Sequence, residues 1–218
     1  AVEADVGPTR MATAEFQGFC NSFIAPPITL KPYLPAYSRR DAMKRLGLRR
    51  GKYCLVSLGG AFGNWDELLW NIQEHARRNR ITLVWAQSPL SSPPDDNGET
   101  MIRQFYPLSP YLEAFSGVIS ATGYNSFHEL VMGYKGPVLL APTNLERLDD
   151  QVARATYAGD QGWADVLYAA RPEEHGAIIE DFMKRLRKGT LVTSRPGSFA
   201  DQSNMAAALD RLCNTYAI

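Results

Sequence analysis

Apolar residues along this chain keep changing their period. In some stretches they run almost unbroken for the length of a short strand; in others they return every third or fourth residue. Residues 53–58 (YCLVSL) and 81–87 (ITLVWAQ) are the clearest unbroken runs, the pattern of strands buried on both faces of a parallel sheet. Two more centre on Val118, Ile119, Ser120 and Ala121 and on the VLL after Pro137, and WADVLYA at 163–169 predicts a last short strand. The helical period appears in Trp65, Leu68, Leu69, Ile72 and Ala76, and in Phe127, Leu130, Val131 and Tyr134. It returns in Ile178, Ile179, Phe182 and Leu186, and in Met205, Leu209, Leu212 and Tyr216. Strands alternating with helices in this way predict an α/β fold, a three-layer Rossmann-like domain on a mostly parallel sheet.

Punctuating residues sharpen the boundaries. Pro8, Pro26, Pro27, Pro32 and Pro35 leave residues 1–38 without a regular period, which predicts an extended arm or interdomain linker there and an α/β domain over 39–218. An arm packed along the sheet fits the same pattern. Ser38 and Asp41 have the spacing of a helix cap, and Gly47 stops the short helix that follows. SPLSSPPDDNGE reads as a loop, residues 103–106 as a short strand that Pro107 ends, and residues 110–115 as a short helix. Pro172 suits the first turn of the next-to-last helix, and Ser203 is placed to cap the last.

Composition narrows the classes of function. Lys+Arg and Asp+Glu both number 23, so no overall field draws the chain to nucleic acid or an anionic membrane, and a bound phosphate must be held locally. No apolar run approaches the about 18 residues of a membrane span, and the N-terminus lacks a signal-peptide layout. Cys20, Cys54 and Cys213 form no paired framework. Together these predict a soluble cytoplasmic protein with reduced thiols. His75, His128 and His175 lack the paired spacing of a zinc site, so neither metal nor cofactor is expected.

The sharpest chemical signal is ATGYNSFHEL at 121–130. Gly123 follows a strand and turns the backbone into a helix. The N–H groups of Tyr124, Asn125 and Ser126 then face outward at the positive end of the macrodipole, where they suit a phosphate or diphosphate. The apolar stripe leaves Asn125, Ser126 and Glu129 on another side, where a carboxylate one turn further in reaches two ribose hydroxyls. A plain surface helix, capped by Ser126 and carrying Glu129 as a solvated acid, fits the same residues. GGAFGNW at 59–65 is a second glycine loop; it is not G-x-G-x-x-G, and it suits a tight strand-to-helix turn as well as a phosphate contact. His128 reads as a helix-surface histidine, with a ligand phosphate as its other use.

Thr122, Gly123, Ser126, Glu129, Gly136, Pro137, Pro142, Asp150 and Gln151 stand in a set order. A strand leads into an S/T-G-x-x-[ST]-x-x-E helix, then a Gly-Pro step, an apolar strand, a proline, and D-Q opening a helix. That order resembles the carboxyl-terminal, nucleotide-sugar-binding half of GT-B glycosyltransferases. Glycosyltransferase family 28, which contains the peptidoglycan GlcNAc transferase, is the nearest resemblance, and a weaker likeness extends from about Tyr53 to the end. The resemblance implies a UDP-sugar donor, UDP-GlcNAc first. It puts the diphosphate against Gly60, Ala61, Gly123, Tyr124, Asn125 and Ser126, the ribose on Glu129, and the sugar hydroxyls on Asp150 and Gln151. It sets the nucleobase beside Phe105 and Tyr106, which strand propensity alone would place in the core.

The resemblance further implies hexosyl transfer without a metal. The acceptor site and catalytic base would lie on another domain or subunit, with residues 1–38 as the crossover toward it. This chain alone would then bind donor and transfer little. A sugar-nucleotide epimerase or hydrolase shares the architecture, as does a non-catalytic donor-binding subunit awaiting a partner, and the fold does not decide between them.

Overall fold

The computed structural model describes residues 2–4, 23–25, 34–58, 66–87, 98–143 and 150–195. Gly60 and Ala61, most of the loop before residue 98, the segment before Asp150 and the helix expected after Ser203 lie outside the described residues. Within 1–38, two short strands, β1 (Val2–Ala4) and β2 (Phe23–Ala25), pair in parallel.

Six further strands follow: β3 (Tyr53–Ser57), β4 (Thr82–Ala86), β5 (Thr100–Arg103), β6 (Gly117–Ser120), β7 (Val138–Leu140) and β8 (Asp165–Val166). They form one sheet in the order β5-β4-β3-β6-β7-β8, every pair parallel. A parallel sheet needs cover on both faces, and the alternation along each strand supplies two cores. Tyr53, Leu55, Val84, Val118 and Leu140 enter one; Cys54, Val56, Leu83, Trp85, Ile119 and Leu139 enter the other. Helices α1 (Arg39–Arg45), α2 (Asp66–Asn79), α3 (Tyr124–Gly133), α4 (Gln151–Asp160) and α5 (Pro172–Lys188) connect the strands, with a 3-10 helix at Ser109–Ala114. Residues of α1, α3, α4 and the 3-10 helix close the first core, and those of α2 and α5 the second. The three-layer α/β fold expected from the periodicity is the fold observed.

Local chemistry sets where the elements stop and how deep they sit. Ser38 caps α1, accepting from the Asp41 N–H at 3.2 Å, and Gly47 ends that helix at φ +66°. A Cβ on Gly117 would come within 2.5 Å of Leu186, so the bare glycine lets α5 lie directly on β6. Lys52 Nζ donates to the carbonyls of Leu186 and Arg187, supplying donors that the last turn of α5 lacks. On the same face, Glu180 of α5 meets His75 Nδ1 of α2 at 2.8 Å and accepts from Asn79 Nδ2 at 3.1 Å.

One strand lies earlier than its aromatic residues suggest. The expected strand at 103–106 is instead Thr100–Arg103. Its ladder with β4 closes where the Gln87 N–H meets the Arg103 carbonyl at 2.9 Å, and β4 itself has ended at Ala86. With no strand left to pair, Phe105 turns inward onto Tyr111 and Phe115, at ring separations of 5.3 and 6.2 Å. Among the described residues, no helix is long and apolar enough to cross a membrane.

Candidate functional site

The chain builds the sheet outward from β3 through β4 to β5, then returns to lay β6 on the other side of β3. In open α/β sheets ligands bind beyond the carboxyl ends of the strands at such a reversal. Here β3 and β6 end in register, Ser57 opposite Ser120. Beside these strand ends lies a small cavity of about 10 Å³, room for about one water, lined by Leu55, Val118 and Leu112 and by Ser57, Ser120, Ser126 and Glu129. The helix-start serine and the helix glutamate singled out in the sequence therefore line one small cavity together with the two strand-end serines.

Gly123 is the N-cap of α3, at φ −61° and ψ 147°, with no side-chain cap. That backbone suits any residue, and a Cβ placed on it would meet nothing within 4 Å among the described residues. Phe127 makes the first i−4 bond, to the Gly123 carbonyl at 2.9 Å. The N–H groups of Tyr124, Asn125 and Ser126 precede that bond, so the helix itself gives them no acceptor. Ser126 stands third in the helix and does not cap it, which removes one leg of the plain-surface alternative. Phe127, Leu130, Val131 and Tyr134 are buried as the period required; Asn125 is exposed, and Ser126 and Glu129 are half-buried.

His128 departs from the sequence reading: it is 2% exposed, not a surface residue. Its ring packs edge-on against Tyr124 and Phe127, with centroids 4.4 and 5.2 Å away. Burial first, and the charge of Arg154 second, push its pKa down to about 4, so the imidazole is neutral near pH 7. Its Nδ1, like the hydroxyl of fully buried Thr122, finds no hydrogen-bond partner among the described residues.

Arg154 went unnoticed in the sequence. Its guanidinium reaches from α4 to donate to the Thr122 carbonyl at 2.6 Å and lies 5.8 Å over the Tyr124 ring and 5.9 Å over Phe127. It stands one turn into the helix that the D-Q pair opens. Asp150 is the N-cap of that helix, accepting from the Ala153 N–H at 2.8 Å. Gln151 is buried, and its Oε1 accepts from the Thr143 N–H at 3.3 Å, pinning the loop that leaves β7. Asp150 is exposed, so its carboxylate also faces solvent at the carboxyl end of the sheet.

The two aromatic candidates for the nucleobase part company. Phe105 is half-buried in the aromatic cluster, whereas Tyr106 is 75% exposed. Neither lines the small cavity beside Ser126 and Glu129; from that segment Leu108 does. Gly60 and Ala61, the other expected diphosphate contacts, lie outside the described residues.

No protein-family model matches the chain, and no curated protein sequence matches it. Solved structures do. The glycotransferase of kitacinnamycin superposes with a TM-score of 0.55 at 18% identity, over 87% of this chain and 48% of that one. Os79 from O. sativa, in complex with U2F and trichothecene, gives 0.54 at 16% identity, over 91% and 51%. CalG4, the calicheamicin glycosyltransferase, gives 0.52 at 14% identity, over 93% and 51%. This chain spans about half the length of each. At these identities the likeness shows the fold, which is that of the carboxyl-terminal GT-B domain.

Proposed function

We propose that this chain is the donor-binding domain of a nucleotide-sugar glycosyltransferase, with a UDP-sugar, UDP-GlcNAc first, as donor. One observation carries the reading: a helix that starts at the reversal point of the sheet on a glycine with no side-chain cap, with Ser126 and Glu129 of its first two turns lining one small cavity. Backbone amides fixed in advance would hold the diphosphate, and the macrodipole would stabilise charge developing on it as the sugar's anomeric carbon is displaced. Glu129 would accept from the ribose hydroxyls. Tyr106 and the segment around Phe105 and Leu108 would lie on the base side, with Gly60 and Ala61 contributing from the loop after β3. Asp150 and Gln151, at the start of α4, would set the sugar's orientation and with it the position of the reacting carbon.

Half of a two-domain enzyme binds donor without supplying the acceptor. We therefore expect an acceptor-binding domain or subunit to provide the base that deprotonates the acceptor, and transfer by this chain alone to be negligible. Calorimetric titration with UDP, UDP-GlcNAc, a TDP-sugar and NAD tests the reading. UDP binding is expected, and Glu129→Ala should weaken it by about 1–3 kcal/mol through the lost hydroxyl contacts. Absence of UDP binding, or tighter binding of NAD, would overturn the donor assignment; unchanged affinity in Glu129→Ala would overturn the ribose role.

A further inference from the structure

Three hydrogen-bonding or ring contacts converge on the start of α3 from a single side chain on another helix. Arg154 holds the carbonyl of Thr122, the residue just before the uncapped Gly123, at 2.6 Å. The same guanidinium covers Tyr124, the first residue of α3, and Phe127, one turn in. It therefore fixes both sides of the glycine whose position decides where the α3 amides point. Arg154 also sits on the helix that starts with Asp150 and Gln151, so this contact links the start of α4 to the turn before α3.

We propose that Arg154 is a positioning residue of the donor site. Its guanidinium ties the helix start that meets the diphosphate to the helix start that meets the sugar, and it sets a positive charge behind the α3 amides. The inference rests on the donor-site reading above. Planarity matters to it: a guanidinium can donate in its plane to the Thr122 carbonyl while presenting a face to a ring, and an ammonium has no such face. The field of that charge reaches at least one turn into α3, because it is one of the two causes that depress the His128 imidazole.

A staple that only stabilises the fold would weaken every ligand alike or none. A positioning and charged residue behind the amides should act on the diphosphate selectively. In Arg154→Met, calorimetry should show UDP binding about 10- to 100-fold weaker, the scale of a lost charge-assisted contact. Uridine, followed by NMR titration, should change less than about twofold, since it carries no phosphate for that contact to serve. Arg154→Lys keeps the charge without the planar fork and should fall between parent and Arg154→Met; it also serves if Arg154→Met does not fold. Equal UDP affinity in parent and variant overturns the inference and leaves the donor site standing. An equal loss for UDP and uridine overturns it too, reducing Arg154 to a structural tie. A parent chain that binds no UDP overturns the donor reading itself and this inference with it.

Discussion

Helices α1 and α3 leave their caps through nearly the same backbone conformation, φ −60° and ψ 155° at Ser38 against φ −61° and ψ 147° at Gly123. Their chemistry differs completely. Ser38 accepts from the Asp41 N–H and donates its own hydroxyl to Asp41 Oδ2 at 2.6 Å, so the first turn of α1 is partly closed from within. Gly123 brings no side chain at all. Because the backbone does not demand glycine there, the missing atoms are what matter: the cap residue itself supplies no acceptor to the α3 amides. The surroundings differ as well. α1 starts at the surface, whereas α3 starts over buried Thr122 and His128, beneath Arg154.

The most severe way to break this contrast is to give α3 a cap of its own. Gly123→Asp fills the open space and adds a carboxylate where the diphosphate would sit. UDP affinity should fall by at least about 100-fold, roughly 3 kcal/mol. Folded stability should hold or rise by a few tenths of a kcal/mol, because aspartate is a good cap and glycine a fair one. Titration calorimetry beside thermal unfolding reads both; equal loss of folding and binding would show that the glycine serves the fold.

Acid tests the buried surroundings of α3. The unfolded chain takes up a proton at His128 near pH 6.5, and the folded chain only near about 4. Between those values the unfolded state binds more protons, so stability rises with pH through the window and is lost as pH falls, by up to about 3 kcal/mol. Denaturant titrations across the window should show this slope diminish in His128→Phe. A slope unaltered by the substitution would place the acid sensitivity elsewhere.

Smaller effects belong to the starts that are closed from within. Asp150→Ala should lower stability by about 1 kcal/mol through loss of the Ala153 bond; if Asp150 also holds the sugar, UDP-sugar affinity falls further than UDP affinity does. Ser38→Ala should reduce stability by about 1 kcal/mol or less and leave UDP binding unchanged. A change in nucleotide affinity on altering Ser38 would dissolve the distinction between the two helix starts.

Single-element patterns were legible in the sequence, and contacts between elements were not. Tyr53 to Val56 read as a strand buried on both faces because every one of those positions is apolar or aromatic, and all four are buried. Phe127, Leu130, Val131 and Tyr134 declared the inner face of α3 by spacing alone. His128 reads as a surface residue because a helical wheel shows only one burial face, whereas the rings of Tyr124 and Phe127 pack edge-on against it. Arg154 itself obeys no spacing rule, since its partners stand some thirty positions away, the Thr122 carbonyl at a separation of 32. Phe105 and Tyr106 drew the strand too late because aromatic propensity does not reveal where the neighbouring strand runs out.

The sheet keeps two cores apart, and that separation has an evolutionary consequence. The face carrying α2 and α5 is fastened by the Gly117–Leu186 packing and by the His75–Glu180–Asn79 links, across the sheet from α3, α4 and Arg154. With the proposed donor site on α3 and α4, mutational drift on the α2–α5 face would register first as heat lability, and drift around α3 and α4 first as altered donor preference. A lineage can thus harden its scaffold and retune its chemistry on independent schedules.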